Sequence, residues 1–82
     1  MSVILLIDNG SSKADATLQL RLLAKNLSDK TGRLIHPVSL QHANKIPAEK
    51  LQGSPARVFP EFMAEKLAEG EREFILIPPV FW

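Results

Sequence analysis

Val3-Ile4-Leu5-Leu6-Ile7-Asp8-Asn9-Gly10 decides the fold. Five consecutive apolar residues, rich in β-branched side chains and stopped by a turn-forming Asp-Asn-Gly, describe a strand buried on both faces, which is the signature of a parallel sheet covered by helices. A second short apolar run, Phe74-Ile75-Leu76-Ile77, ends in Pro78-Pro79 and matches the first in character. Between them, Arg33 to Leu40 carries Leu34, Ile35, Val38 and Leu40. Pro37 within that run cannot donate to a sheet ladder, so this middle strand is expected at an edge.

The intervening segments read as helices. Ser12-Lys13-Ala14-Asp15 fits a capping box, and Ala16, Leu20, Leu23 and Leu27 then recur at three- and four-residue spacing as far as a stop near Gly32. Ser54-Pro55 reads as a second helix start, with Gly70 as its stop. Pro60 lies inside that helix and should kink it or delay its regular part, the kink being the expected outcome. Phe59, Phe62, Met63 and Leu67 fall at helical spacing and read as core. The polar residues 41–53 read as a loop, with one helical turn around Pro47 to Leu51.

Strands alternating with helices imply right-handed crossovers, and helices on both sheet faces require the chain to reverse direction after the second strand. The expected architecture is therefore α/β, a three-layer βαβαβ unit with a parallel three-stranded sheet of order 2-1-3. With 82 residues, no repeat and no linker, it is one domain. A formal charge of +1, from 10 basic and 9 acidic residues, gives no field that would gather nucleic acid or anionic lipid. The absence of cysteine excludes disulfides and thiol chemistry. The apolar start lacks a basic leader and is too short to span a bilayer, so a cytoplasmic protein without nucleic-acid or membrane partners is expected.

In open parallel sheets ligands gather beyond the carboxyl ends of the strands, at the switch point between strands 1 and 3. Asp8, Asn9, Gly10, Ser11 and Ser12 and the segment after Ile77 would line that crevice, and Gln41, His42 and Asn44 would enter from beyond strand 2. Gly10 permits a sharp turn, and the following helix start offers free N–H groups to an anion. The same residues also serve an ordinary turn and cap, so both readings stand. His36, beside Pro37, reads as an edge-strand side chain. His42, at a carboxyl end, is the better placed of the two imidazoles for a ligand or metal. The apolar Val80-Phe81-Trp82 would pack under a helix, form an oligomer contact, or lead into further structure.

The order and spacing of these segments resemble a family. A buried strand before x-Gly-Ser, a helix, a second strand, then Gly53-Ser54-Pro55-Ala56, a helix, Ala68-Glu69-Gly70 and Phe74-Ile75-Leu76-Ile77-Pro78 resemble the opening of the CbiX and SirB class II sirohydrochlorin chelatases. The resemblance covers nearly all of this chain but only about the first two thirds of a minimal family subunit. It implies a lyase that inserts cobalt or ferrous iron, as substrate metal, into a sirohydrochlorin-like tetrapyrrole in cobalamin or siroheme synthesis, working as a homodimer. Carried over position by position, the family's metal-ligating and proton-accepting histidine before Gly-Ser falls on Asn9, and an acidic ligand closing strand 2 falls near Gln41. A further histidine after strand 3 has no counterpart before Trp82. Asn9 and Gln41 thus occupy the catalytic positions as amides, and His42 is the residue that could compensate as a metal ligand. Gly10, Ser11 and Ser12 keep the ligand-receiving turn, with Asn44 beside them. The implied activity is a chelatase-like one or, with the amides in place, non-catalytic binding of a tetrapyrrole or another anion.

Overall fold

The computed structural model describes residues 2–78. In order, β1 (Val3–Asp8), α1 (Ala14–Thr31), β2 (Ile35–Ser39), two single 3-10 turns (Ala43–Lys45 and Ala48–Leu51), α2 (Phe59–Ala68) and β3 (Phe74–Ile77) follow one another. The sheet is all-parallel and ordered β2-β1-β3. Among the described residues no helix is long and apolar enough to cross a membrane. Val80-Phe81-Trp82 lie outside the described residues.

The register separates the core into two layers. Val3, Leu5 and Ile7 point to the side where Val38 and Phe62 complete a cluster with Phe59, Met63 and Phe74. Ile4 and Leu6 point to the other side, against Ile35 and the α1 residues Leu20 and Ala24, with Leu23 and Leu27 at its margin. Strand alternation thus gives β1 two buried faces and puts one helix on each, as the continuous apolar run requires. A third cluster, with Ala43, Ile46, Leu51, Ala56 and Val58 buried, packs the connecting segment against Ala14 and Leu18. This explains how a loop-like stretch of sequence is held.

Gly32 ends α1 as expected: its φ is +69°, and its N–H donates to the Ser28 carbonyl at 2.9 Å. The Ser28 hydroxyl then accepts from the Ile35 N–H at 2.9 Å, tying the helix end to the start of β2. The helix start differs from the expected capping box. Lys13, not Ser12, holds the cap position, and no side chain caps the helix. The Ser11 hydroxyl accepts the Lys13 N–H at 3.1 Å, a local serine turn that occupies the chain where the cap would form.

Helix 2 also differs. Ser54-Pro55 starts no helix, and α2 begins five residues after Ser54, at Phe59, with Pro60 in its first turn. Proline is suited to that position because its missing N–H has no partner there in any case, so no kink arises. Residues 54–58 instead run beside β2, where the Ser39 N–H donates to the Arg57 carbonyl at 3.0 Å and Ser39 bridges Val58 in parallel. Arg21 holds them there, its guanidinium donating to the carbonyls of Leu51 (3.0 Å), Ser54 and Pro55 (3.2 Å).

The third strand departs from its resemblance to the first. Ile75 and Leu76 are 44% and 50% exposed, on opposite faces of β3, whereas Leu5 and Leu6 are sealed. β3 is an edge that neither helix fully covers.

Candidate functional site at the carboxyl ends of the strands

Asp8 closes β1 beside Ser39 of β2, and its carbonyl accepts the Leu40 N–H at 2.9 Å. The chain then turns at Gly10, whose φ is +95°. A Cβ at Gly10 would overlap the Gln41 carbonyl oxygen outright, with the carbonyl carbon 2.8 Å and the amide nitrogen 3.1 Å away. Both the backbone angle and the lack of a side chain are therefore required, because the β1 and β2 loops touch at this point. The contact gathers Asn9, Gly10, Ser11 and Ser12 beside Gln41 at the carboxyl end of the sheet.

Past Gln41 the chain makes a tight turn. Ala43 N–H donates to the Gln41 carbonyl at 2.9 Å, and Lys45 N–H to that of His42 at 3.0 Å. His42 adopts a φ of +71°, unusual outside glycine. The turn brings Gln41, His42 and Asn44 to one shallow cavity of about 220 Å³, closed on its far side by Pro60 and Glu61 of α2. Asn9, Ser11 and Ser12 do not line that cavity. The sequence-predicted residues thus fall into two neighbouring groups joined at the Gly10–Gln41 contact.

The chemistry available at this end is hydrogen bonding and charge. Ser11 and Lys13 stand at the start of the 18-residue α1, where the Lys13 N–H bonds the Ser11 hydroxyl and the Ala16 N–H bonds the Lys13 carbonyl at 3.2 Å. Of the opening N–H groups, those of Ala14 and Asp15 therefore have no partner among the described residues. Lys13 adds a positive charge to that terminus, and Asp15, in the first turn, a negative one. Asn9, Gln41 and Asn44 offer amides that donate and accept but do not ionise. Among the described residues, no group of three His, Cys, Asp or Glu side chains comes close enough to hold a metal ion. His42 therefore has no pair of ionisable co-ligands there.

One residue gains weight that sequence reasoning assigned only to the lining. Asp8 Oδ1 is sealed from solvent and has no hydrogen-bond partner among the described residues. An unpaired buried carboxylate oxygen is costly, and it sits at the end of the central strand. The apolar run before it marks the strand end, but no pattern in the sequence marks the missing donor.

His36, read as an edge-strand side chain, takes that place and packs its ring against Phe62, 5.1 Å between centroids at 56°. Burial, then the charges of Lys66 and Arg57, push its pKa below the usual imidazole value, against a weaker opposite pull from Glu69. Arg57 and Lys66 both lie over the Phe62 ring, at 5.3 and 5.6 Å. Comparison with known proteins gives no match: no family model, no curated protein and no solved structure is similar enough to count as a relative of this chain.

Proposed function

We propose that the chain is a class II chelatase-type domain, of the sirohydrochlorin cobaltochelatase and ferrochelatase kind, whose carboxyl-end loops receive an anionic tetrapyrrole by hydrogen bonding and charge rather than by metal insertion. The observation that carries the reading is the Gly10–Gln41 contact, which brings the Asn9-Gly10-Ser11-Ser12 turn and the Gln41-His42-Asn44 turn together at the ligand end of a β2-β1-β3 sheet. The N–H groups at the start of α1 suit the carboxylates of such a macrocycle, with Lys13 offsetting the charge of Asp15 in the first turn. Asn9 and Gln41 cannot take up pyrrole protons near neutral pH, and this separates binding from insertion.

The test is an absorbance titration of the purified protein with sirohydrochlorin, first alone and then with cobalt(II) or iron(II). A saturable shift of the tetrapyrrole bands without metal, and no metal-dependent conversion above the protein-free rate, is the expected result. No band shift at any protein concentration overturns the reading. Metal-dependent conversion would assign catalysis to the chain instead, with Asp8 and His42 as the groups to substitute first.

A second reading concerns assembly, and the observation that favours it is the contrast between the sheet edges. Pro37 blocks strand addition at β2, whereas β3 carries no proline and leaves Ile75 and Leu76 exposed. The β3 edge is proposed to meet a second copy of the chain. Sedimentation should show a dimer that Leu76→Lys dissociates, and a wild-type monomer at high concentration would refute this.

A further inference from the structure

The other edge of the sheet is not simply closed. Residues 54–58 run parallel to β2, and the Ser39 N–H bonds the Arg57 carbonyl at 3.0 Å. Continued one step back, the parallel ladder would have the N–H of residue 37 bond the carbonyl of residue 55. Residue 37 is proline and has no N–H. The Pro55 carbonyl is taken instead by Arg21, at 3.2 Å, and the two backbones leave a gap.

The gap is a cavity of about 300 Å³ between α1, β2, residues 54–57 and α2. That is the lower end of the size range of small-molecule sites. Arg21 and Arg57 supply its charge, His36 adds a ring nitrogen, and no carboxylate lines it. Arg21 has no acidic partner among the described residues, since its guanidinium bonds only carbonyls. Arg57 pairs with Glu65 at the surface, an exposed interaction of the weak kind that a ligand can displace.

A second observation points the same way. Thr17 and Ser39 are the buried polar residues among those described, 5% and 3% exposed, and both line this cavity. Neither side chain takes part in a hydrogen bond among the described residues, and neither hydroxyl oxygen is sealed as Asp8 Oδ1 is, so both open into the cavity. Leu20, Ala56 and the Phe62 ring form the apolar part of the wall.

We propose that this cavity binds a small oxyanion carried on an apolar body, the anionic group received by Arg21, Arg57 and the Thr17 and Ser39 hydroxyls, the body lying against the Pro37 and Pro55 rings at its mouth. A phosphate monoester and a carboxylate share the chemistry that these donors recognise. The site lies along the β2 edge, apart from the carboxyl-end loops, and stands whether or not those loops bind a tetrapyrrole.

The experiment is an amide-resolved NMR titration of the whole chain with inorganic phosphate, phenyl phosphate and benzoate. Saturable shifts at the amides of Thr17, Ser39, Ala56 and Arg57 and at the His36 ring are expected, with the phenyl-bearing anions tighter than inorganic phosphate. Tighter phenyl phosphate marks a phosphate site, and tighter benzoate a carboxylate site. The double substitution Thr17→Val with Ser39→Ala should weaken binding by about tenfold or more. Arg57→Gln gives a second variant that leaves the buried wall intact, and it too should weaken binding. Shifts confined to residues 9–13, shifts that never saturate, or unchanged affinity in a folded double variant would each overturn the proposal. Should the double variant fail to fold, the wild-type shift map and Arg57→Gln decide.

Discussion

Replacing Gly10 by alanine should damage this protein more than replacing any of its other positive-φ glycines, and the cost can be worked from two separable parts. The first is the backbone angle of +95°, which an alanine adopts only with strain of about 1–3 kcal/mol. The second is steric, because the new methyl group would overlap the Gln41 carbonyl and forces the two loops apart, at about 1–3 kcal/mol for overpacking. Gly53 supplies the control: its φ is +81°, yet nothing lies within 4 Å of where its Cβ would be. Gly53→Ala therefore carries only the first part. The expected difference between the variants is about 1–3 kcal/mol, and for a domain of this size each kcal/mol moves Tm by about 4–8 °C. Thermal unfolding followed by circular dichroism, with urea midpoints in support, measures it. Equal losses in the two variants, within about 0.5 kcal/mol, would refute the contact between the β1 and β2 loops and, with it, the assembly of the candidate site.

Phe62→Ala should cost about 3–5 kcal/mol, a large share of the stability of a small domain, because the ring fills the α2-side core at 1% exposure and carries Arg57 and Lys66 on its faces; a fall in the urea midpoint reads it. His36 makes stability pH-dependent. With its folded pKa below the unfolded value near 6.5, the unfolded chain binds the proton more readily, so stability is full above that pH, falls as pH drops through it, and levels off below the folded pKa. His36→Gln should flatten that part of the profile in urea unfolding between about pH 5 and 7, and a profile unchanged by the substitution would count against the buried setting of the ring. Pro60→Ala should leave helix content unchanged and lower stability by no more than about 1 kcal/mol, through greater freedom of the unfolded chain, whereas a rise in far-UV helical signal would mean that the proline distorts α2.

What the sequence makes legible here is whatever depends on neighbours along the chain. Five apolar residues before Asp8 require a two-sided cover, Gly32 stops a helix, and crossover handedness with helices on both faces leaves 2-1-3 as the strand order; all of these hold in the structure. The start of α2 was not legible. Ser54-Pro55 carries the local features of a helix start, but Arg21, 30 to 34 positions earlier, binds the carbonyls at 51, 54 and 55 and holds the segment along β2. The exposure of β3 escaped for a similar reason: an apolar run identifies a strand but not how many neighbours cover it. At the candidate site, Gly10 is conspicuous as a glycine after a strand, while its contact with Gln41 and the unpaired Asp8 oxygen arise only from the approach of distant segments.

The unlike edges of the sheet give the unit a direction of growth. On the β2 side, the proline and the strap of residues 54–58 consume or remove the backbone groups that another strand would need. On the β3 side no strap covers those groups among the described residues, and apolar side chains stand on both faces. Fusing a copy of the unit to itself, or splicing strands onto it, can therefore enlarge the sheet past β3 without disturbing α1, α2 or the β2 edge. The same asymmetry makes β3 the place where crowded, newly made chains would first adhere, and a single charged residue at position 76 would be the least intrusive guard against it.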